Sequence, residues 1–485
     1  MSRFSVYLKE LIEKRGEPIA RIAKNTGLER TSIHKALKDE RLLPYTAVRR
    51  LSQYLQLTLP QSRELSLYYE MLLQGEDIYR TQEAICGLLS ELSQLHFSSR
   101  SPARDFSEIS VFPSSPCLIP GRPQIEAALR SIIFHETAKE GSCISLYIPA
   151  ACSVISDLFQ LWRSGRDFTV RQMVPFLPDR TGEDNRQANL HTLQRLLPLS
   201  LVSGGRHFAH YYFENSGAFA DIDPLPFFII TPRCLIRLDS KLSIARIETD
   251  PQLIELYERR FSQVLNECQP LNSYSNDIKH VLSSYMQGTD EDSYYTLMTQ
   301  PCLGHYYTRD RIAKHFRPDV PNKEMLIELS DKRFERLRKL TGNYYTIFSE
   351  QGLRQFAKDG VAIDLPPELI MPVNMATRIE ILRSFRDDIA CGNVKGCIAD
   401  TEKLPIPPYL TLTCDPKFGL HIYAVQGFIG GAYSCNLHIE ESGIGESFCS
   451  FIRSLPDSKY VYSMEKTLSV LDELISDLES SKEGV

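Results

Sequence analysis

The sequence predicts a multidomain chain in which an all-α module of five helices precedes a larger mixed α/β (α+β) body. Three observations carry that prediction. Residues 19–37 hold two short amphipathic segments around a glycine, Gly27. Residues 1–60 carry twelve Lys/Arg against six Asp/Glu, a local charge of +6, which leaves −12 for the rest of a chain whose net charge is −6. From residue 117 onward, short β-rich apolar runs alternate with helical stripes.

Composition narrows the class. The chain has 485 residues, 42% of them hydrophobic and 24% charged, a balance typical of globular proteins. No apolar run approaches the roughly 18 residues of a membrane span, and the N-terminus lacks the apolar stretch of a secretion signal. A cytoplasmic location is expected. The twelve cysteines are scattered, with no metal or redox spacing, and read as reduced thiols.

In the module, Phe4, Tyr7, Leu8, Leu11 and Ile12 form a helical stripe closed by Gly16, and Pro18 marks the first turn of a second helix. Ala23 is small enough for two helices to cross closely. Gly27 supplies a positive-φ turn, and Ile22, Leu28, Ile33 and Ala36 fall where the shared core would lie. The third helix is expected over about Arg30 to Lys38. Leu42, Leu43 and Pro44 connect it to a fourth helix bearing Val48, Leu51, Tyr54 and Leu55. Pro60 opens a fifth with Leu65, Tyr68, Tyr69 and Leu72.

The order of these helices, the Gly27 turn and the Leu-Pro loop resemble the DNA-binding domain of the lambda-repressor/Cro (XRE) family of helix-turn-helix transcriptional regulators over about residues 4–60. That resemblance implies double-stranded DNA as the partner, with the third helix in the major groove. It puts Arg30, Thr31, Ser32, His34 and Lys35 nearest the base edges, Arg30 being able to donate two hydrogen bonds to guanine. Lys35, Lys38, Arg21 and Lys24 are suited to backbone phosphates. Two positions depart from the family pattern. Ile19 stands where a polar residue usually touches a phosphate, and Glu29 where Ser, Thr or Asp usually caps the third helix. A homodimer reading two half-sites is expected.

Residues 61–97 read as a helical connector whose Leu88, Leu89, Leu92 and Leu95 either pack within the chain or pair with a second subunit. The Ser/Pro-rich stretch 98–116 reads as a linker. Residues 117–272 read as an α/β domain: a strand at Cys143–Pro149, a helix from Val154, a strand over Arg206–Phe213, a hairpin turning at Thr231-Pro232-Arg233, and a helix over Pro251–Leu265. Residues 273–485 read as an α+β domain with successive antiparallel strands at Tyr409–Cys414, Gly419–Val425 and Ala432–Ile439, then a helix bearing Phe448 and Phe451. Both regions end in strands followed by a helix bearing Phe, a pattern that short amphipathic helices after hairpins produce by chance and that a distant duplication would also leave.

No catalytic frame stands out. His207 and His210, three apart in a strand, face opposite sides and make a poor metal pair. Gly427-Phe-Ile-Gly430-Gly431 lacks the strand-to-helix setting of a phosphate cradle. His421 and His438 are expected in or beside the sheet. Trp162 and Tyr211-Tyr212-Phe213 read as core before they read as a ligand pocket. No enzyme activity, cofactor, metal or membrane partner is expected. The body reads as a sensing or assembly region whose effector, a small molecule or a protein, is not identified. The alternative is a protein-interaction module that uses the helix-turn-helix as packing, as in the antitoxin half of a complex.

Overall fold

The computed structural model describes residues 1–95, 115–149, 152–178, 185–213, 223–274, 293–363, 370–415, 419–424, 435–439 and 441–483. The chain divides into two compact units, Met1–Ala84 and Ile85–Val485. The first is helical and the second is an α/β body with two mixed sheets. Most of the expected linker and the Gly427–Gly431 turn lie outside the described residues.

The N-terminal unit holds α1 (Arg3–Arg15), α2 (Ile19–Thr26), α3 (Arg30–Ala36), α4 (Tyr45–Tyr54), α5 (Leu59–Gln74) and the start of α6 (Glu76–Ser93). Its core gathers Phe4, Leu8, Ile22, Ala23, Ile33, Val48, Leu51 and Leu65. Helix α5 belongs to this core: the Tyr69 ring packs edge-on against Phe4 at 5.4 Å, and its hydroxyl donates to the Leu43 carbonyl. Local chemistry sets the ends. Thr58 and Gln61 form a reciprocal capping box at the start of α5, with Pro60 one residue further in. Pro18 stands at the N-cap of α2, just outside the first turn, because its φ of −61° and ψ of 140° are extended. Helix α3 is shorter than expected and stops at Ala36, with Leu37 as its cap and Asp39 at φ +59° reversing the chain.

The body opens with the C-terminal half of α6, whose Leu88, Leu89 and Leu92 are buried inside this same unit. The Leu92 carbonyl accepts from the Tyr409 hydroxyl, 2.7 Å away. Three of the four leucines of this stripe are thus packed within the chain, one of the two alternatives the sequence leaves open, and Leu95 is half-buried.

Then come β1 (Cys117–Pro120), α7 (Arg122–Glu136), β2 (Ser142–Tyr147), α8 (Val154–Arg163), β3 (Phe168–Phe176), α9 (Arg186–Val202), β4 (His207–Phe213), β5 (Phe227–Ile230), β6 (Leu235–Leu238), β7 (Ile244–Glu248), α10 (Pro251–Leu265) and β8 (Gln269–Pro270). They build a sheet of order β1-β7-β6-β5-β2-β3-β4-β8 in which β2, β3 and β4 are parallel and the other pairings antiparallel.

The second set is β9 (Ser273–Tyr274), β10 (Tyr294–Met298), α11 (Arg309–His315), α12 (Lys323–Arg338), β11 (Tyr344–Phe348), α13 (Glu350–Asp359), α14 (Met375–Cys391), β12 (Val394–Ile398), β13 (Leu410–Asp415), β14 (Gly419–Ala424), β15 (Cys435–Ile439), α15 (Ser442–Ser454) and α16 (Met464–Glu483). Its sheet order is β12-β11-β10-β13-β14-β15-β9.

The two sheets share one topology. In each, three parallel strands joined by helices are followed by three antiparallel strands beginning beside the first, and then by a helix bearing buried Phe: Phe261 in α10, Phe448 and Phe451 in α15. In each, a strand from before the repeat closes the antiparallel edge, β1 on β7 and β9 on β15. In each, the chain leaving the last helix returns beside the outermost parallel strand, as β8 on β4 and as the Ala399–Val461 bridge. Chance recurrence of short hairpin-plus-helix units does not reproduce all of these pairings in order. The body repeats one α/β topology in two successive units.

Several residues singled out by sequence prove to be core. Trp162 stacks on Phe168 with ring centroids 4.7 Å apart. Tyr211 is buried against Phe176. His207 is fully buried, its ring nitrogens 2.9 Å from Ser200 Oγ and 3.0 Å from Gln172 Oε1, and burial pushes its pKa down to about 3. His421 and His438 pair across β14 and β15 with stacked rings 3.8 Å apart. Burial, with His438 and Arg333 nearby, lowers His421 to about 3. Among the described residues no helix is long and apolar enough to cross a membrane.

Candidate nucleic-acid interface

The candidate surface is built by α2, the Gly27 turn and α3. Helix α2 buries Ile22, Ala23 and Thr26, and the Thr26 hydroxyl donates to the Ile22 carbonyl. Gly27 takes φ +64°, a conformation costing an L-residue about 1–2 kcal/mol, and lets the Leu28 amide donate back to the Ala23 carbonyl at 3.0 Å. Helix α3 then buries Ile33 and Ala36 and turns its other side to solvent.

The sequence-selected residues fall on this outer side unequally. Arg30, Thr31 and Lys35 on α3, Lys38 just past its end, and Arg21 and Lys24 on α2 are exposed. Thr31, Lys35 and Lys38 are spaced four and three residues apart and so project from one side. Ser32 and His34 are half-buried. Ser32 donates to the Glu29 carboxylate (3.4 Å), and Arg30 Nε donates to His34 Nε2 (3.4 Å). Glu29 makes no side-chain cap to α3, as its longer side chain suggests. Arg21 stands 3.9 Å from Glu17 and is thereby partly neutralised. Ile19 is half-buried against the core, a packing role in place of the polar contact usual at that position.

Contacts outside the motif hold this surface in place. The Tyr54 hydroxyl donates to Glu17 at 2.7 Å and accepts from Asn25 at 2.7 Å, which ties α4 to both ends of α2. The Tyr54 bond, helped by Arg21 and Arg15, holds the Glu17 carboxyl below its usual range. Arg50 donates to the Thr26 carbonyl at the end of α2. Asp39 latches the turn after α3 to the start of α1: it accepts from Ser2 N (2.5 Å), Ser2 Oγ (2.6 Å) and Ser5 Oγ (3.1 Å). Sequence reading missed these contacts because the partners lie 24 to 37 positions apart. It also passed over the exposed Arg41 and Arg49, which contribute to the charge of the module without belonging to its motif.

The Asp39 latch has a pH consequence. Burial alone would raise the carboxyl, but the hydrogen bonds from Ser2 and Ser5 outweigh it and hold the folded-state pKa below the ordinary value. A depressed carboxyl contributes stability above its unfolded pKa of about 3.9, and that contribution is lost as pH falls through the folded value. Asp39→Asn is expected to destabilise the N-terminal unit by about 1 kcal/mol at pH 7 and by less near pH 3. Amide exchange in peptides from residues 1–84 at the two pH values checks this. An equal effect at both would show that the charge is not what matters.

No family model matches the chain, and no curated protein does. Among solved structures, TrmBL2, an archaeal chromatin protein whose structure shows a novel mode of DNA binding, aligns with 49% of this chain and 87% of its own. The identity is 11% and the TM-score 0.23, a likeness too slight to argue from.

Proposed function

We propose that the chain is a sequence-specific DNA-binding transcriptional regulator of the lambda-repressor-like type, with a five-helix N-terminal domain that reads duplex DNA and an α/β body of repeated topology that senses a signal and has no catalytic role. The observation that carries the reading is the pair α2–α3. Two helices cross over Ala23, turn at Gly27, and leave Arg30, Thr31, Lys35 and Lys38 exposed on one basic side. Phosphate contacts from Arg21, Lys24, Lys35 and Lys38 supply affinity, and Arg30 with Thr31 and Ser32 supplies base discrimination. The modest charge and the poorly capped α3 favour binding as a homodimer to two half-sites about one helical turn apart.

Selection of preferred sites from random duplex DNA tests this. An enriched motif with two half-sites, bound more weakly as salt rises, is the expected outcome. Failure to enrich any sequence, or binding indifferent to salt, would favour a protein-interaction role for the N-terminal unit.

A further inference from the structure

The shared topology allows the two repeats to be compared, and they differ under their final helices. In the second repeat α15 lies directly on its sheet. A Cβ at Gly445 would stand 2.7 Å from the Gly419 Cα, so paired glycines let the backbones touch. Ile444, Phe448, Phe451 and Ile452 are all buried along this helix. In the first repeat the N-terminal half of α10 faces the side-chain-bearing turn Thr231-Pro232-Arg233, and only Phe261 and Leu265 of the helix are buried. A cleft of about 690 Å³ opens there. Cys143, Ile230 and Arg171 form its floor, while Arg233, Glu255 and Glu258 stand on its walls.

The floor also differs in chemistry. Where the second repeat stacks Tyr345 on Tyr295 (4.9 Å, 27°), the neighbouring strands of the first place Arg171 beside Ser145. The Arg171 guanidinium donates to Ser145 Oγ at 2.7 Å and Ser262 Oγ at 3.2 Å, pairs with Glu258, and lies over the Phe261 ring. Its Nε is buried without a partner. The second repeat also brings a guanidinium here, Arg453 of α15, but it lies over the Tyr295 ring and donates to the Tyr295 hydroxyl, with no carboxylate beside it in that contact. The same fold thus fills this space with stacked tyrosines under Arg453 in the second repeat, and in the first it keeps a cleft around the Arg171–Glu258 pair.

We propose that this cleft binds a zwitterionic small molecule of the amino-acid or short-peptide class. Its carboxylate meets Arg171 and Arg233, its ammonium meets Glu255 and Glu258, and its apolar part lies on Ile230 and Ile254. Arg171 pairs with Glu258, Arg233 with Glu136 at 2.7 Å and Glu255 with Arg259 at 3.8 Å, so the cleft is lined by neutral ion pairs, which a zwitterion can join at both ends and a simple anion or cation only at one. The volume lies within the usual range for small-molecule sites. The inference deepens the sensing role proposed for the body and rests on that reading for its regulatory meaning; direct binding is measured so that either can fail alone.

The test is calorimetric titration of the full chain with the twenty free amino acids and the dipeptide L-alanyl-L-leucine. The best binder is then repeated in N-acetylated and C-amidated form, and DNA affinity is assayed separately. At least one free zwitterion is expected to saturate, and blocking either charged end should weaken it about tenfold or more. Ile254→Trp should abolish binding by filling the cleft. Glu255→Gln, at an exposed position that leaves folding unaffected, should weaken the free compound and leave its N-acetylated form unchanged. No saturation by any probe, equal binding of blocked forms, or full binding by Ile254→Trp would overturn the proposal.

Discussion

Arg30→Ala is expected to weaken binding to a preferred duplex by about 1–3 kcal/mol, roughly five- to 150-fold, and to relax selectivity at one base pair. The side chain is exposed at the first position of α3, and its hydrogen bond to His34 at 3.4 Å lies on the surface, so its loss leaves the helix intact. Lys35→Ala, one turn further along, should act differently. It should weaken all duplexes nearly alike and lower the dependence of log affinity on log salt by about one. Mobility shifts over a salt series with the selected site and a scrambled one separate the two effects. If neither substitution changes affinity, α3 is not the element that reads DNA.

Leu51→Ala should abolish DNA binding by another route. Leu51 is fully buried in α4, in the same core as Ile22 and Ile33, the residues that hold α2 and α3 in their crossing. Truncation leaves a cavity and costs about 2–5 kcal/mol, a large part of the roughly 5–15 kcal/mol that keeps a domain folded. The expected signature is accelerated amide exchange across residues 1–84 with affinity falling in step. Exchange in the body, which has its own cores, should be unchanged. Unaltered protection in the N-terminal unit would mean that Leu51 does not carry this core. Together the variants separate contact from scaffold: Arg30 affects the first alone, Leu51 both.

What the sequence disclosed was local. The glycine closures at 16 and 27, the hairpin at Thr231–Arg233 and the bounds of α10 were legible because each depends on residues within a turn of one another. The three antiparallel strands of the second repeat were legible from their β-rich composition. The sheet order was not, because β1 joins β7 across more than a hundred residues and nothing in either strand names its partner. The shared topology showed only as texture, since matching places in the two sheets hold residues as unlike as Arg171 and Tyr345. On the candidate surface, the exposed cations could be chosen from helical spacing, but the Asp39 latch and the Tyr54 bridge could not. Both depend on chain reversals that no short motif encodes.

One buried side chain gives the body an optical address. The chain has a single tryptophan, Trp162, stacked on Phe168 with its Nε1–H bonded to the Phe168 carbonyl at 3.0 Å. Phe168 begins the strand that carries Arg171 into the cleft floor. Emission excited selectively at the indole therefore comes from one known place, on α8 against the first residue of the strand whose Arg171 lines that cleft. A shift in its wavelength on adding DNA or a small molecule would report whether an event elsewhere reaches the first repeat, with no label attached.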